Sequence, residues 1–351
     1  MRPLKSGIVV LLLAALRLSG ALPASAAVAI DEFPTLTAGA GPLEIVEGPD
    51  GNIWFTERAA DNIGRITTTG DVTEFSLSAG ANPFGIAVGP DGNLWVTEEG
   101  LDKLARFEIA TETVTEFSLA AGSGPAGITA GPDGNLWFTA RSSDKIGKFD
   151  LATQVVTEYS LPAGSEPMGI TAGPDGNLWF TAQGSDKISK ITPSGTLTEY
   201  SLAAGAAPTE IITGPDGNLW FTEKDADKIG KITTTGTITE YSLAVSSGPI
   251  DITVGADGDL WFTESFSDKI GTITLSGDVT EYSLPAGSNP QGIVGTATYV
   301  WFTEFDANQI GRIDLNAVPE PGTFTLAAIA AGGLLVLKRR AAGSRRRAKT
   351  D

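Results

Sequence analysis

Eight carboxylates recur at fixed places in this chain and are its strongest candidates for chemistry. Glu57, Glu98, Glu223, Glu264 and Glu304 each close a Trp-[Phe/Val]-Thr-Glu run; Ala140 and Ala182 take that place in the two remaining runs. Shortly upstream, Glu44, Glu210 and Asp251 occupy a position that is glycine in the four sister repeats. All-oxygen donor sets suit hard cations, so Mg²⁺ or Ca²⁺ is the expected metal. Its expected ligands are Glu210, Glu223, Asp251 and Glu264, because those two repeats offer two carboxylates each. Glu44, Glu57, Glu98 and Glu304 continue the acidic arc, and with Met168 they are the candidate ligand-binding residues. The chain has no histidine and no cysteine. That removes the commonest general base, imidazole-bound zinc, thiolate nucleophiles and disulfides. No phosphate loop or nucleophile elbow is visible, and no organic cofactor is expected.

The elements that must position these groups are seven copies of one unit. Trp54, Trp95, Trp137, Trp179, Trp220, Trp261 and Trp301 are spaced by 41, 42, 42, 41, 41 and 40 residues. Each lies in a phrase close to Gly-Pro-Asp-Gly-Asn-Leu-Trp-Phe-Thr, and each unit alternates apolar and polar residues in four short runs. A period near 40 with strand-like alternation predicts an all-β, seven-bladed propeller of four-stranded blades. Asp-Gly marks the first hairpin turn, and Trp and Phe should fill the space between blades. The last unit has only three strands before Ala317, and Ile30–Leu36 matches the missing fourth. The N-terminal strand is therefore expected to pair with Ile310–Asp314 and close the ring, leaving no free edge. A hairpin turning at Asp-Gly should bring the residue after the unit's proline opposite the closing glutamate, placing all eight carboxylates on one rim. Glu32, Glu74, Glu116, Glu158, Glu199, Glu240 and Glu281 recur in every unit and read as outer-strand charges. The Asp-Lys pairs such as Asp102-Lys103 read as turn and surface chemistry, and the aspartates of the Gly-Pro-Asp-Gly turns as structural.

The two ends carry a different signal. Arg2 and Lys5, the apolar run Gly7–Leu16 and Ala24-Ser25-Ala26 have the layout of a secretory signal peptide over residues 1–26. Residues 318–351 hold Val318-Pro319-Glu320-Pro321, a short apolar transmembrane segment at 324–337 and a basic tail with Arg345, Arg346 and Arg347. That tail resembles the PEP-CTERM sorting signal, which implies processing by an exosortase, only transient membrane contact, and delivery to the cell surface or extracellular matrix of a Gram-negative bacterium. Of the 24 Lys+Arg, ten lie at the ends (Arg2, Lys5, Arg17 and seven after Leu337), against only Glu320 and Asp351 of the 42 Asp+Glu. The remaining 14 basic and 40 acidic groups give the propeller at 27–317 a net charge of −26. Such a surface repels nucleic acid and favours a small-molecule or cationic surface partner on a monomer.

The unit Pro-x-Gly-Ile-x-x-Gly-Pro-Asp-Gly-Asn-Leu-Trp-Phe-Thr-Glu resembles the streptogramin lyases, the virginiamycin B lyase family of seven-bladed propellers, over residues 30 to 317. The resemblance implies ring opening by an elimination that uses Mg²⁺, a histidine base after the unit's proline, and the glutamate that closes the run. Here the residues after the proline are Leu43, Phe84, Ala126, Met168, Thr209, Ile250 and Gln291. None is a base. Three readings follow: a surface-sorted binding propeller of lyase-like descent with a cation at its acidic rim, a C–O lyase or hydrolase working through metal and carboxylates, and a structural matrix protein.

Overall fold

The Trp-Phe-Thr run of each unit forms the second strand of a sheet and is buried at every position, as in Ile53–Glu57 and Leu136–Ala140. The computed structural model describes residues 28–35 and 37–317. Within them lie seven four-stranded antiparallel sheets, six of them running outward in chain order. The second unit is typical, with strands Pro83–Val88, Leu94–Glu98, Lys103–Glu108 and Thr113–Ser118. Among the described residues no helix is long and apolar enough to cross a membrane; the expected signal peptide and the sorting segment at 318–351 lie outside those residues.

Ring closure is as expected. Ile30–Pro34 pairs antiparallel with Gln309–Asp314, Ile30 opposite Ile313 and Pro34 opposite Gln309. The seventh sheet is thus built from both ends of the chain, in the order first strand, third, second and innermost of the last unit.

Tryptophans seal the blade interfaces. Trp54 is fully buried against Leu94, Val96 and Phe107 of the next blade. In six blades the indole N–H donates to the turn aspartate four residues earlier, as Trp95 Nε1 does to Asp91 Oδ1 at 3.1 Å. The seventh blade has no such aspartate: Thr296 closes its turn onto Tyr299, and Trp301 Nε1 is left without a partner among the described residues. Glycine in the third strand completes the packing. A Cβ on Gly64 would lie 2.1 Å from the Phe55 ring, so the ring lies flat across a strand that has no side chain there.

Candidate functional site

Two devices fix the backbone around the central axis. Each innermost strand carries a bulge just after its proline, between Pro42 and Ile45 in the first blade and between Pro208 and Ile211 in the fifth. The freed backbone groups are taken by the threonine of the neighbouring run. Thr56 Oγ1 accepts from Glu44 N at 3.1 Å and donates to Phe84 O of the next blade at 2.9 Å. The same bond recurs from Thr97, Thr139, Thr181, Thr222 and Thr263, and Thr303 donates to Leu43 O at 2.7 Å to complete the circle. Seven threonines therefore stitch each blade to the next at one face, the mouth. Nothing in the sequence reading assigned them this role.

Below the mouth the three glycine-position carboxylates meet. Glu44, Glu210 and Asp251 line one axial cavity of about 190 Å³, with Ile45, Ile86, Ile128 and Ile170 among its walls. Asp251 is buried, and its two oxygens accept from Ile252 N and Ile293 N, each at 2.7 Å. Glu210 Oε1 accepts from Ile211 N at 3.1 Å. Burial raises the Asp251 carboxyl to about 7, with those two N–H bonds pulling the other way. Burial first, and then the negative charge of Asp251, pushes Glu210 well above the ordinary carboxylate range. Glu44 is pushed up by burial, then by Asp251 and Glu210. Three acids from blades 1, 5 and 6 thus share one narrow channel.

The five run-closing glutamates are elsewhere, which corrects the expected single rim. Glu57, Glu98, Glu223, Glu264 and Glu304 are fully buried inside their blades. Their backbones do lie opposite the unit prolines, as Pro42 opposite Glu57 shows. The second strand, however, stands one strand spacing, about 4.8 Å, further from the axis, and the innermost strand lies between it and the channel. Glu223 faces Glu240, Lys228 and Asp186 instead of Glu210; Glu264 faces Ser267, Glu281 and Lys269 instead of Asp251. The expected pairs Glu210/Glu223 and Asp251/Glu264 are not brought together. Burial raises Glu57 to about 8 and both Glu98 and Glu223 to about 7. Beside them the lysine of each Asp-Lys pair bonds the fourth-strand glutamate, as Lys103 Nζ does Glu116 at 2.5 Å. The aspartate of the pair, in the left-handed region at φ 51° for Asp102, accepts from Gly122 N and Gly124 N and so shapes the loop to the next blade.

Above the channel the mouth opens as a second cavity of about 190 Å³, which also includes Glu44, Phe84 and Glu210. Leu43, Met168, Thr209, Ile250 and Gln291, all residues that follow a unit proline, form its wall. Met168 is thus in the mouth as expected. Three cations there were missed by sequence reasoning: Arg58, Arg141 and Lys224. Arg58 is tied to Glu99 at 2.5 Å and Arg141 to Gln183 at 3.1 Å, while Lys224 leans over the Phe266 ring at 5.2 Å. The available signal was the residue just after each run, which varies between blades and is basic in three. A hard cation needs six or more oxygens in a tight shell. Among the described residues no three acidic groups converge in that way.

Comparisons with known proteins agree with this architecture. The family model described as the Virginiamycin B lyase family matches residues 23–81 and 77–327. Virginiamycin B lyase from Staphylococcus aureus superposes with a TM-score of 0.78 at 35% identity, covering 82% of this chain and 99% of that one. A catalytically inactive histidine-to-alanine variant of the same enzyme, solved with quinupristin, matches with the same values. A streptogramin B lyase matches at 38% identity and a TM-score of 0.78, over 82% of this chain and 97% of that one. Among curated proteins no match is found. With the seven-bladed ring, the repeated unit and the family match extending over nearly the whole propeller, the chain belongs to the virginiamycin B lyase family.

Proposed function

We propose that this chain is an exported, surface-sorted binding propeller that has left the lyase reaction behind and takes a small ligand at the axial mouth. The observation that carries the reading is the absence of histidine anywhere in the 351 residues, beside a mouth cavity that persists. A relative made inactive by loss of one histidine was solved with quinupristin, which supports the idea that ligand binding outlasts catalysis in this fold. Apolar walls with a few charged groups converging on them are what small-molecule sites have in common. Export rests on the basic, apolar and small-residue order of residues 1–26 and on the Pro-Glu-Pro, apolar and basic order of the tail.

The test has two arms. Incubation with quinupristin, followed by chromatography, should show no ring-opened product. A thermal-shift screen of small molecules should find compounds that raise the melting temperature of the parent but not of an Ile250→Trp variant, in which the mouth is filled. Linear product would restore a lyase. A screen without any selective compound would leave a scaffold protein. A second reading, catalysis by carboxyl groups alone, is favoured by three acids that line one cavity and that burial pushes upward, Asp251 to about 7 and Glu44 and Glu210 well above the ordinary carboxylate range, as an acid–base pair requires. The product arm decides between the two.

A further inference from the structure

We propose that the channel beneath the mouth is an ammonium site and that the ligand is a short peptide with a free N-terminus and a free carboxylate. The inference rests on the mouth-binding reading and adds the ligand's chemistry.

The channel offers acceptors that lack donors. Among the described residues the Glu44 carboxylate receives no hydrogen bond, its backbone N–H alone being engaged. Glu210 receives one, on a single oxygen. Both open onto the axial cavity along with Asp251. An ammonium group presents three donors, each reaching about 2.8 Å to a separate carboxylate. Such donors suit the acids of blades 1, 5 and 6, which open onto one cavity without forming a three-acid metal group. Glu210 is also seated deliberately. A Cβ on Gly169 of the neighbouring blade would lie 2.5 Å from Glu210 Oε1, so glycine leaves the space in which that carboxylate rests.

The mouth supplies the other end. Arg58 and Arg141 are already matched by Glu99 and Glu166, whereas Lys224 has no carboxylate within 4 Å among the described residues. Leu43, Phe84, Met168 and Ile250 line the same mouth cavity as Glu44, Glu210 and Lys224. A polyamine would set a second cation against Lys224. A single amino acid carries both charges on one carbon and offers one side chain to a wall built from several apolar residues. A peptide of a few apolar residues satisfies the channel, the wall and the rim together.

The probe is trileucine, measured by calorimetry against N-acetyl-trileucine and the C-terminal amide. The free peptide should bind, the acetylated form about tenfold or more weakly, and the amide more weakly than the free acid. Glu210→Gln and Gly169→Ala should each shrink the gap between free and acetylated peptide, and Lys224→Met the gap between acid and amide. Melting curves identify any variant that fails to fold, and the parent's discrimination between the three peptides stands without them. Equal binding of free and acetylated trileucine would overturn the ammonium assignment and leave mouth binding intact. Absence of peptide binding, with other compounds from the screen still retained, would overturn the ligand class alone. Loss of both would remove the mouth reading as well. Binding of Mg²⁺ or Ca²⁺ alone, abolished by Glu210→Gln, would give the channel to a metal instead.

Discussion

Replacing Glu98 and Glu223 by glutamine should make the protein more stable in alkali and leave it unchanged in mild acid. Both carboxyls are fully buried, and neither oxygen of either has a partner among the described residues. Burial raises each to about 7 from an ordinary 4.5. An unfolded chain releases these protons above about pH 4.5, while the folded chain holds them to about 7. Stability is therefore greatest below pH 4.5 and falls as pH rises through that window. At about 1.36 kcal/mol per unit, each group would cost about 3 kcal/mol at most once ionised. Discounted for solvent screening, roughly half of that remains, about 1.5 kcal/mol each. Urea unfolding at pH 4 and pH 9 is the assay. Parent and Glu98→Gln/Glu223→Gln should agree within about 0.5 kcal/mol at pH 4, where both carboxyls are protonated in the folded and mostly in the unfolded chain. At pH 9 the variant should be more stable by about 3 kcal/mol. A parallel pH dependence in both proteins would mean that these carboxyls are ionised in the native state, and the burial argument would fall.

The interblade stitches should be worth measuring one at a time: Thr139→Val strips Met168 O and Gly127 N of their partner, at a cost of about 1–3 kcal/mol in urea. Loss of only a few tenths would show that water replaces the hydroxyl. Asp133→Ala orphans the buried Trp137 indole and should cost a similar amount, about 1–3 kcal/mol, with intrinsic fluorescence reporting the change. Removing residues 28–34 exposes the Gln309–Asp314 edge and should produce concentration-dependent aggregation by light scattering; a monodisperse, equally stable product would argue against closure. Mass spectrometry of protein from its native host should find a start near Ala27 and no residues beyond about Phe324; recovery of an intact Arg345–Arg347 peptide from the surface form would refute sorting.

Blade number, blade content and ring closure were legible because they depend on periodicity and on one displaced strand. The site was legible only in part. A spacing along the chain sets how high a residue stands on its strand, and so placed Glu57 and Glu44 correctly at the same end of a blade. It does not set the radial layer. That layer decides that Glu44 sees the channel and that Glu57 is sealed behind the innermost strand. The threonines were hidden for the opposite reason: present in every unit, Thr56 and its counterparts read as pattern and not as the joints of the ring. Arg58, Arg141 and Lys224 stand out only as variation after a repeated run, and the spacing alone does not mark that position as the mouth.

The described ends of the chain determine which way the protein would face. Ile30 and Ile313 are paired at the turn end of the seventh blade, and Val28 and Leu315 both pack against the core that contains Ile313. Both strands then run the full height of the blade to Pro34 and Gln309 at the mouth end. Chain enters and leaves on the side opposite the mouth, at one point on the circumference. A tether attached through either end would hold the disc by its back, close to a single blade. The opening would then be presented outward, away from whatever surface bears it.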